Sequence, residues 1–343
     1  MRGIALGARV CAGRRVVRQV REAVAWRHAV PVGQAGWIAL FGGVVAGVVI
    51  AAGAGCGGSN SSGGATISFQ QQIAQARQEP SPESQARKLL AIAESQARAG
   101  DKYGAQDTLK LAFQAADRVA APAERAGVYA AVARANAAQG ERLEAGRAAE
   151  NAFHAAEKID DAEAKARALA EVAAAQAVAG QSAEAVKTLQ AAESVASGLA
   201  DVYGRTLVLC LVAEGYAKAD RAAEADRVLA AALDVADQAD SPRRRCESIA
   251  AVALEQSLLG RAEADATFDR ALAAAGQIED PHSRVFALAD IAERLSKAGQ
   301  HRRVHEVLDQ ADRVAHSVPQ PDLQQEAVQK VRGLMGKLPK PAS

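Results

Sequence analysis

Few of the 343 residues have both the type and the spacing for chemistry. His301 and His305 stand at i and i+4, which on a helix brings both rings to one face beside Glu306, the beginning of a divalent-metal site. Arg302 and Arg303 are interleaved and oppose a cation, so a solvated helix start is the expectation. Cys210 and Cys246 have no C-x-x-C partner and no Cys/His cluster around them, which leaves neither a zinc site nor a disulfide framework. The carboxylate pairs Asp160-Asp161 and Glu279-Asp280 fall between helical runs and read as helix caps rather than acid/base pairs. His154 and His316 sit near helix ends, where dipole placement accounts for them. Body glycines occur singly at turns, so no phosphate cradle is formed. The sequence predicts no enzyme, no cofactor, no metal and no small-molecule substrate.

Charge and apolar runs say where such a chain would work. Residues 1–55 carry seven Arg and one Glu, while the rest has 34 basic and 39 acidic residues. A mildly acidic body does not suit nucleic acid. Between Arg27 and Arg77 there is no charged side chain, and Trp37 to Ala54 is almost continuously apolar. Eighteen residues as a helix reach about 27 Å, close to a hydrocarbon core of roughly 30 Å. Arginines before this run keep that end cytoplasmic, so the body is expected outside, on the periplasmic or extracytoplasmic side of a bacterial membrane. The run stops at Ala54-Gly55-Cys56-Gly57, which resembles the lipobox of bacterial lipoproteins. That resemblance implies that Cys56 is lipidated, with Ala54 and Gly55 as the small residues before it. Gly53 departs from the leucine usual at its place, and the arginine-rich region is longer than a normal signal. A lipoprotein and an uncleaved signal anchor both remain open.

Positioning elements emerge from a forty-residue period. A turn residue recurs at Gly100, Gly140, Gly180, Asp220, Gly260 and Gly299. Seven residues before each comes Ala93, Ala133, Ala173, Ala213, Ala253 and Ala292, preceded by Ile92, Val132, Val172, Val212, Val252 and Ile291. Three residues further back stand Leu89, Tyr129, Leu169, Leu209, Ile249 and Leu288, so offsets of three and four mark one helix face. After the turn come Ala105, Ala145, Ala185, Ala225, Ala264 and Val304, then Leu109, Leu189, Leu229 and Leu308, with a one-residue deletion just after Gly260. This pattern resembles the tetratricopeptide repeat over residues 81–317, with Leu169, Val172, Ala173, Gly180, Ala185, Leu189 and Ala192 as the matching residues of the third repeat. The family's aromatics are mostly aliphatic here, and the period is 40 rather than 34. Alanine fills 85 positions and aromatics only 3% of the chain, which suits a thin layer of closely crossing helices and not a deep core.

The expected fold is therefore all-α: an α-solenoid of about six helical hairpins over 81–317, after a signal or anchor segment at 1–56 and a flexible tether at 57–80, in which residues 65–80 can form a short helix before Pro80 and Pro82 break it. A capping helix and tail follow at 318–343, the helix running from Pro321 to Leu338. The family resemblance implies that the first helices line a concave groove for a protein or peptide partner. Arg87, Arg98 and Arg134 would then form a carboxylate or peptide-terminus clamp. Lys297 lies on the same face, and Leu254 with Leu258 form an apolar pair unless a neighbouring helix covers them. Ala175 is expected on an open face, unlike Ala173. The functional expectation is a membrane-tethered interaction scaffold binding a peptide or helix in that groove. The alternative is a structural assembly factor of a bacterial envelope complex that binds through its edges.

Overall fold

The structure, a computed structural model, describes residues 67–337. Their fourteen helices are α1 (Phe69–Ala76), α2 (Pro82–Arg98), α3 (Lys102–Asp117), α4 (Pro122–Ala138), α5 (Arg142–Glu157), α6 (Ala162–Val178) and α7 (Ser182–Ser197). Then follow α8 (Val202–Lys218), α9 (Ala222–Asp237), α10 (Pro242–Leu258), α11 (Ala264–Gly276), α12 (Pro281–Lys297), α13 (His301–Ala315) and α14 (Pro321–Lys337). Each even-numbered helix from α2 to α12 pairs with the one after it, giving six hairpins in a tetratricopeptide-like α-solenoid. Among these residues no helix is long and apolar enough to cross a membrane. Trp37 to Ala54, Cys56 and the tail after Lys337 lie outside the described residues.

Helix starts follow from local chemistry. Ser81, Asp161, Asp201, Ser241 and Asp280 cap first helices by accepting from a backbone N–H three residues on, and Pro82, Pro122, Pro242 and Pro281 occupy first helical positions. The turn residue ends each first helix in the left-handed region, with φ from +68° to +86° at the five glycines and +59° at Asp220. In five of the six repeats the preceding helix end is held by a basic or amide side chain fifteen residues before the turn. Arg125 Nε donates to Val119 O at 2.6 Å, Lys165 Nζ to Glu157 O at 2.9 Å, Arg245 Nη2 to Ala239 O at 2.9 Å and Arg284 Nε to Ile278 O at 2.7 Å. Gln85 Nε2 does the same to Arg77 O at 3.0 Å. These bonds satisfy carbonyls that a helix terminus leaves orphaned, and the Arg and Lys side chains also put positive charge at its negative end.

Packing follows the alanine columns. Ala93, Ala133, Ala173, Ala213, Ala253 and Ala292 are all fully buried, as are Ala105, Ala145, Ala185 and Ala225. Small side chains there let paired helices cross closely, while Leu109, Leu189, Leu229, Phe268 and Leu308 fill the space beside them. The deletion after Gly260 is absorbed at the start of α11, which has 13 residues where α9 has 16. At the ends, α14 covers the last hairpin with Ala327 and Val331 buried. The short helix expected within residues 65–80 is α1, which is capped by Ser68 and packs on α2 through buried Ala76, with Phe69 and Ile73 against the core. An apolar residue every three or four positions gives this short helix a face to bury.

Ala175 is a correction. It is fully buried, not open, because a first helix packs on its own partner and on both neighbouring repeats. The equivalent position in the next repeat is Gly215, where an added Cβ would come within 2.5 Å of Leu189 Cδ2. Ala173→Leu and Ala175→Leu should therefore each destabilise the array by about 1–3 kcal/mol through overpacking, read by denaturant melts. Asp220→Gly should do the opposite and raise stability by about 0.5–1 kcal/mol, since only glycine adopts that φ without strain. A melt unchanged or lowered by Asp220→Gly would contradict the left-handed turn.

Candidate functional site

The two layers of the array are not equivalent. First helices of successive repeats pack on one another, α4 on α6, α6 on α8, α8 on α10 and α10 on α12. Second helices of successive repeats are joined by long side chains instead. Arg227 makes a two-pronged ion pair with Glu193 at 2.7 and 2.8 Å, Arg261 Nε meets Asp226 at 2.5 Å, and Arg270 meets Asp237 at 2.7 Å. Closer spacing among first helices bends the array toward them. The bend is tight enough that Arg294 on α12 donates to Tyr203 on α8 at 3.3 Å, skipping a whole repeat. First helices thus line the inner face.

That face is polar and internally paired. Arg87 meets Glu83 at 2.8 Å, Arg167 meets Glu163 at 3.0 Å, Lys218 meets Glu214 at 2.6 Å and Arg243 meets Glu247 at 2.9 Å, each one helical turn apart. Such pairs contribute little stability, about 0.3–0.5 kcal/mol each, so their value is in presenting charge. Burial among neighbouring helices raises the Glu171 carboxyl above its ordinary range, against the pull of Arg134, Arg167 and Arg87. Asp290 is raised for the same reason, opposed chiefly by Lys330 of α14.

Of the expected clamp, Arg134 and more weakly Arg87 act on Glu171 through their charge, as Arg167 does, while the ion pairs that Arg87 and Arg167 make are to Glu83 and Glu163 of their own helices. Arg98 does not join them; it is exposed and its Nη2 donates to Ser95 Oγ at 3.2 Å. Lys297 is exposed at the end of α12. Leu254 and Leu258 are half-buried rather than an open patch, and Leu254 packs against the cluster formed with the sixth repeat, the covered alternative. His301 and His305 lie on α13, and among the described residues no group of three or more His, Cys, Asp and Glu could hold a metal ion. Asp161 and Asp280 are helix caps, accepting from Ala164 N and Ser283 N at 2.7 Å each. Cys210 and Cys246 are buried free thiols; desolvation pushes Cys246 up to about 12 and Cys210 higher still, which keeps both unreactive.

One group was not anticipated from sequence. Glu255, on α10, is only 7% exposed and its Oε1 has no hydrogen-bond partner. Burial first, and the neighbouring Glu214 second, push its carboxyl up to about 8, with Lys218 opposing. Its column reads Ser95, Ala135, Ala175, Gly215, Glu255 and Arg294, small residues giving way to charge in the last two repeats.

No family model matches the chain, and no curated protein matches it. Among solved structures it is similar to the TPR-like repeats of a putative kinesin light chain from Podosopora anserina. They share 20% identity over 58% of this chain and 98% of that one, with a TM-score of 0.33. It is also similar to BtubC from P. vanneervenii, at 14% identity over 81% of this chain and 96% of that one, TM-score 0.36. A Rap protein complexed with Competence and Sporulation Factor gives 13% identity, 78% and 84% coverage and a TM-score of 0.32. The tetratricopeptide-like character of this chain is read from its own hairpin register.

Glu255 yields a pH dependence. The folded protein keeps its proton up to about pH 8, whereas the unfolded chain loses it near the ordinary value of 4.5. Stability should therefore be fully present below pH 4.5 and fall as pH rises to about 8, by up to about 1.4 kcal/mol per unit. Glu255→Gln should remove this component, raising the melting temperature at pH 9 relative to the parent and changing it little at pH 5. Equal effects at both pH values would refute the buried, protonated carboxyl.

Proposed function

We propose that this protein is a membrane-tethered interaction scaffold that binds a peptide or helix of a protein partner along the inner face of its first helices. The observation that carries the reading is the recessed inner face itself. Its packing columns repeat from hairpin to hairpin, while the residue after each crossing alanine changes at every step: Glu94, Arg134, Ala174, Glu214, Leu254, Glu293. A segment lying along it would meet different partners at each repeat, with Glu171 and Asp290 already partly desolvated and ready for charge-assisted hydrogen bonds. Residues 1–56 are the tether, either through lipid on Cys56 or as an uncleaved signal anchor, with the repeats on the extracytoplasmic side of a bacterial membrane.

An observation on the opposite layer favours the edge-binding alternative. Tyr103 and Leu143, each three residues after a turn in successive repeats, are 82% and 81% exposed. The two readings separate in one affinity capture from membranes of cells fed a labelled fatty acid. Groove binding expects a specific partner retained by the parent and by Tyr103→Ser with Leu143→Ser, and reduced at least tenfold by Arg134→Glu with Lys297→Glu. The reverse pattern establishes the edge reading and removes the groove. In the same experiment Cys56→Ser should lose the label if lipid is the tether, whereas an unlabelled, membrane-bound parent points to the anchor.

A further inference from the structure

Among the described residues, eight buried side-chain nitrogen or oxygen atoms have no hydrogen-bond partner. Four of them, Arg245 Nε, Ser248 Oγ, Glu255 Oε1 and Gln256 Oε1, belong to α10, while Gln139, Gln176, Arg205 and His282 carry one each along the rest of the array. Unpaired polar atoms in a packed interior are costly, so their concentration on one helix calls for a reason.

The register says which interface bears that cost. Arg245 bonds Ala239 O at the end of α9, Val252 belongs to the apolar cluster of the earlier repeats, and Glu255 lies near Glu214 and Lys218 of α8. These residues and Ser248 form one stripe of α10, turned toward repeat four. The positions of Ser248 and Glu255 hold Val128 and Ala135 in α4, Ala168 and Ala175 in α6, and Val208 and Gly215 in α8. Serine and glutamate thus stand where the three earlier interfaces use only valine, alanine or glycine. The apolar core divides at the same place: Val252 packs with the earlier repeats, whereas Cys246, Ile249, Ala250 and Ala253 of the same helix pack with the later ones. Arg294 of α12 donates to Tyr203 of α8 at 3.3 Å, so the first helices on the two sides of α10 are tied directly to each other.

Glu255 controls what the joint costs. The charges acting on it come from α8, Glu214 and Lys218, with the Cys210 thiol of that helix beside it, and Lys218 is already paired with Glu214 at 2.6 Å. Among the described residues α9, α11 and α12 also pack on α10 and contribute none of these charges, although Arg294 acts on Cys210. A neutral Glu255 is tolerated in that setting. An ionised one is desolvated, faces Glu214 and has no donor to its Oε1, and it gains water when the joint parts. We propose that the joint between repeats four and five is a hinge, held closed across the inner face by Arg294 on Tyr203 and opened when Glu255 loses its proton. Each side keeps its own apolar cluster, and the hinge does not rest on what the inner face binds. An open joint returns the carboxyl toward its ordinary 4.5, against about 8 when closed, so opening grows as pH rises between these values and levels off above them.

Buried Cys210, on the α8 side of the joint, reports opening. Maleimide labelling of Cys210 in the full chain is read by peptide mass and divided by the rate for glutathione in the same buffer, which cancels the ionisation of the thiol. The expected result is a relative rate that rises at least tenfold from pH 5.5 to pH 8 in the parent and stays flat in Glu255→Gln, while amides of repeats one and two keep their protection from hydrogen exchange. Tyr203→Phe, which keeps the ring and loses the bond, should raise the rate already at pH 5.5. Glu214→Gln carries the test should Glu255→Gln disturb the fold: it removes the opposing charge, and the rise should level off at a lower pH. A rate that does not rise, a rise that persists in Glu255→Gln, or an equal loss of protection in repeats one and two overturns the proposal, and an unchanged rate in Tyr203→Phe removes the Arg294 bond from it.

Discussion

Everything in the array depends on how closely two helices of a hairpin can cross. The alanines seven residues before each turn sit at that crossing, and none has measurable exposure. A longer side chain would hold the backbones apart and forfeit the dispersion contacts that replace a conventional core. The constraint explains the composition: a layer this thin needs alanine at many places and leaves room for few aromatics. It also explains why no hairpin is self-sufficient. Each buries one face within itself and another only against its neighbour, so α1 and α14 must close the two ends.

Because stability in such an array is close to a sum of neighbouring interfaces, one poor interface is felt locally. The junction of repeats four and five is such a place. The buried apolar residues divide there into two clusters, one running from Ala76 to Val252 and the other from Ala236 to Val331. Around the division α10 contributes Ser248, Glu255 and Gln256, all buried, each with an oxygen that finds no hydrogen-bond partner. Polar groups kept at a joint weaken it relative to its apolar neighbours. Glu255 makes that weakness depend on protonation, since its charged form is opposed by both desolvation and Glu214.

Much of the fold was legible because its determinants repeat. Six turns at nearly equal spacing, each preceded by alanine and five of them followed by one, leave little choice but stacked hairpins, and the positive φ at Asp220 and the five glycines follows from the same register. Ala175 was misread because a two-layer picture allots one buried stripe to a helix, whereas a first helix in a solenoid is packed on three sides. The inner face was legible only in part. Arg134 could be placed on it from its offset, but the field that Arg134, Arg167 and Arg87 exert together on Glu171 depends on how three repeats stack, which no single repeat encodes. Glu255 had a signal that went unread: a charged residue in a column of serine, alanine and glycine. The orphaned Gln176 had none, because Gln96 and Thr108 carry the same residue types at the same positions and are fully bonded. The difference lies in the residue after the turn and in a glycine of the preceding repeat.

That last contrast bears on how a repeat array acquires specific sites at all. The columns that set the crossing are fixed by sterics and cannot vary without cost. Freedom is left at the positions that face the next repeat or solvent, where Asp101, Glu141, Gln181, Arg221, Arg261 and Gln300 occupy one place after the turn. At repeat one this position completes an internal network with Gln96; between repeats one and two Glu141 instead reaches back to Gln106, and between four and five Arg261 reaches back to Asp226. The same backbone position thus seals a hairpin, ties two hairpins together, or lies over a glycine of the preceding repeat, as Gln181 does over Gly146, according to which side chain it carries and what it meets. Local chemistry of this kind is superimposed on a scaffold whose geometry it does not disturb, and it makes an otherwise uniform stack chemically different from one repeat to the next.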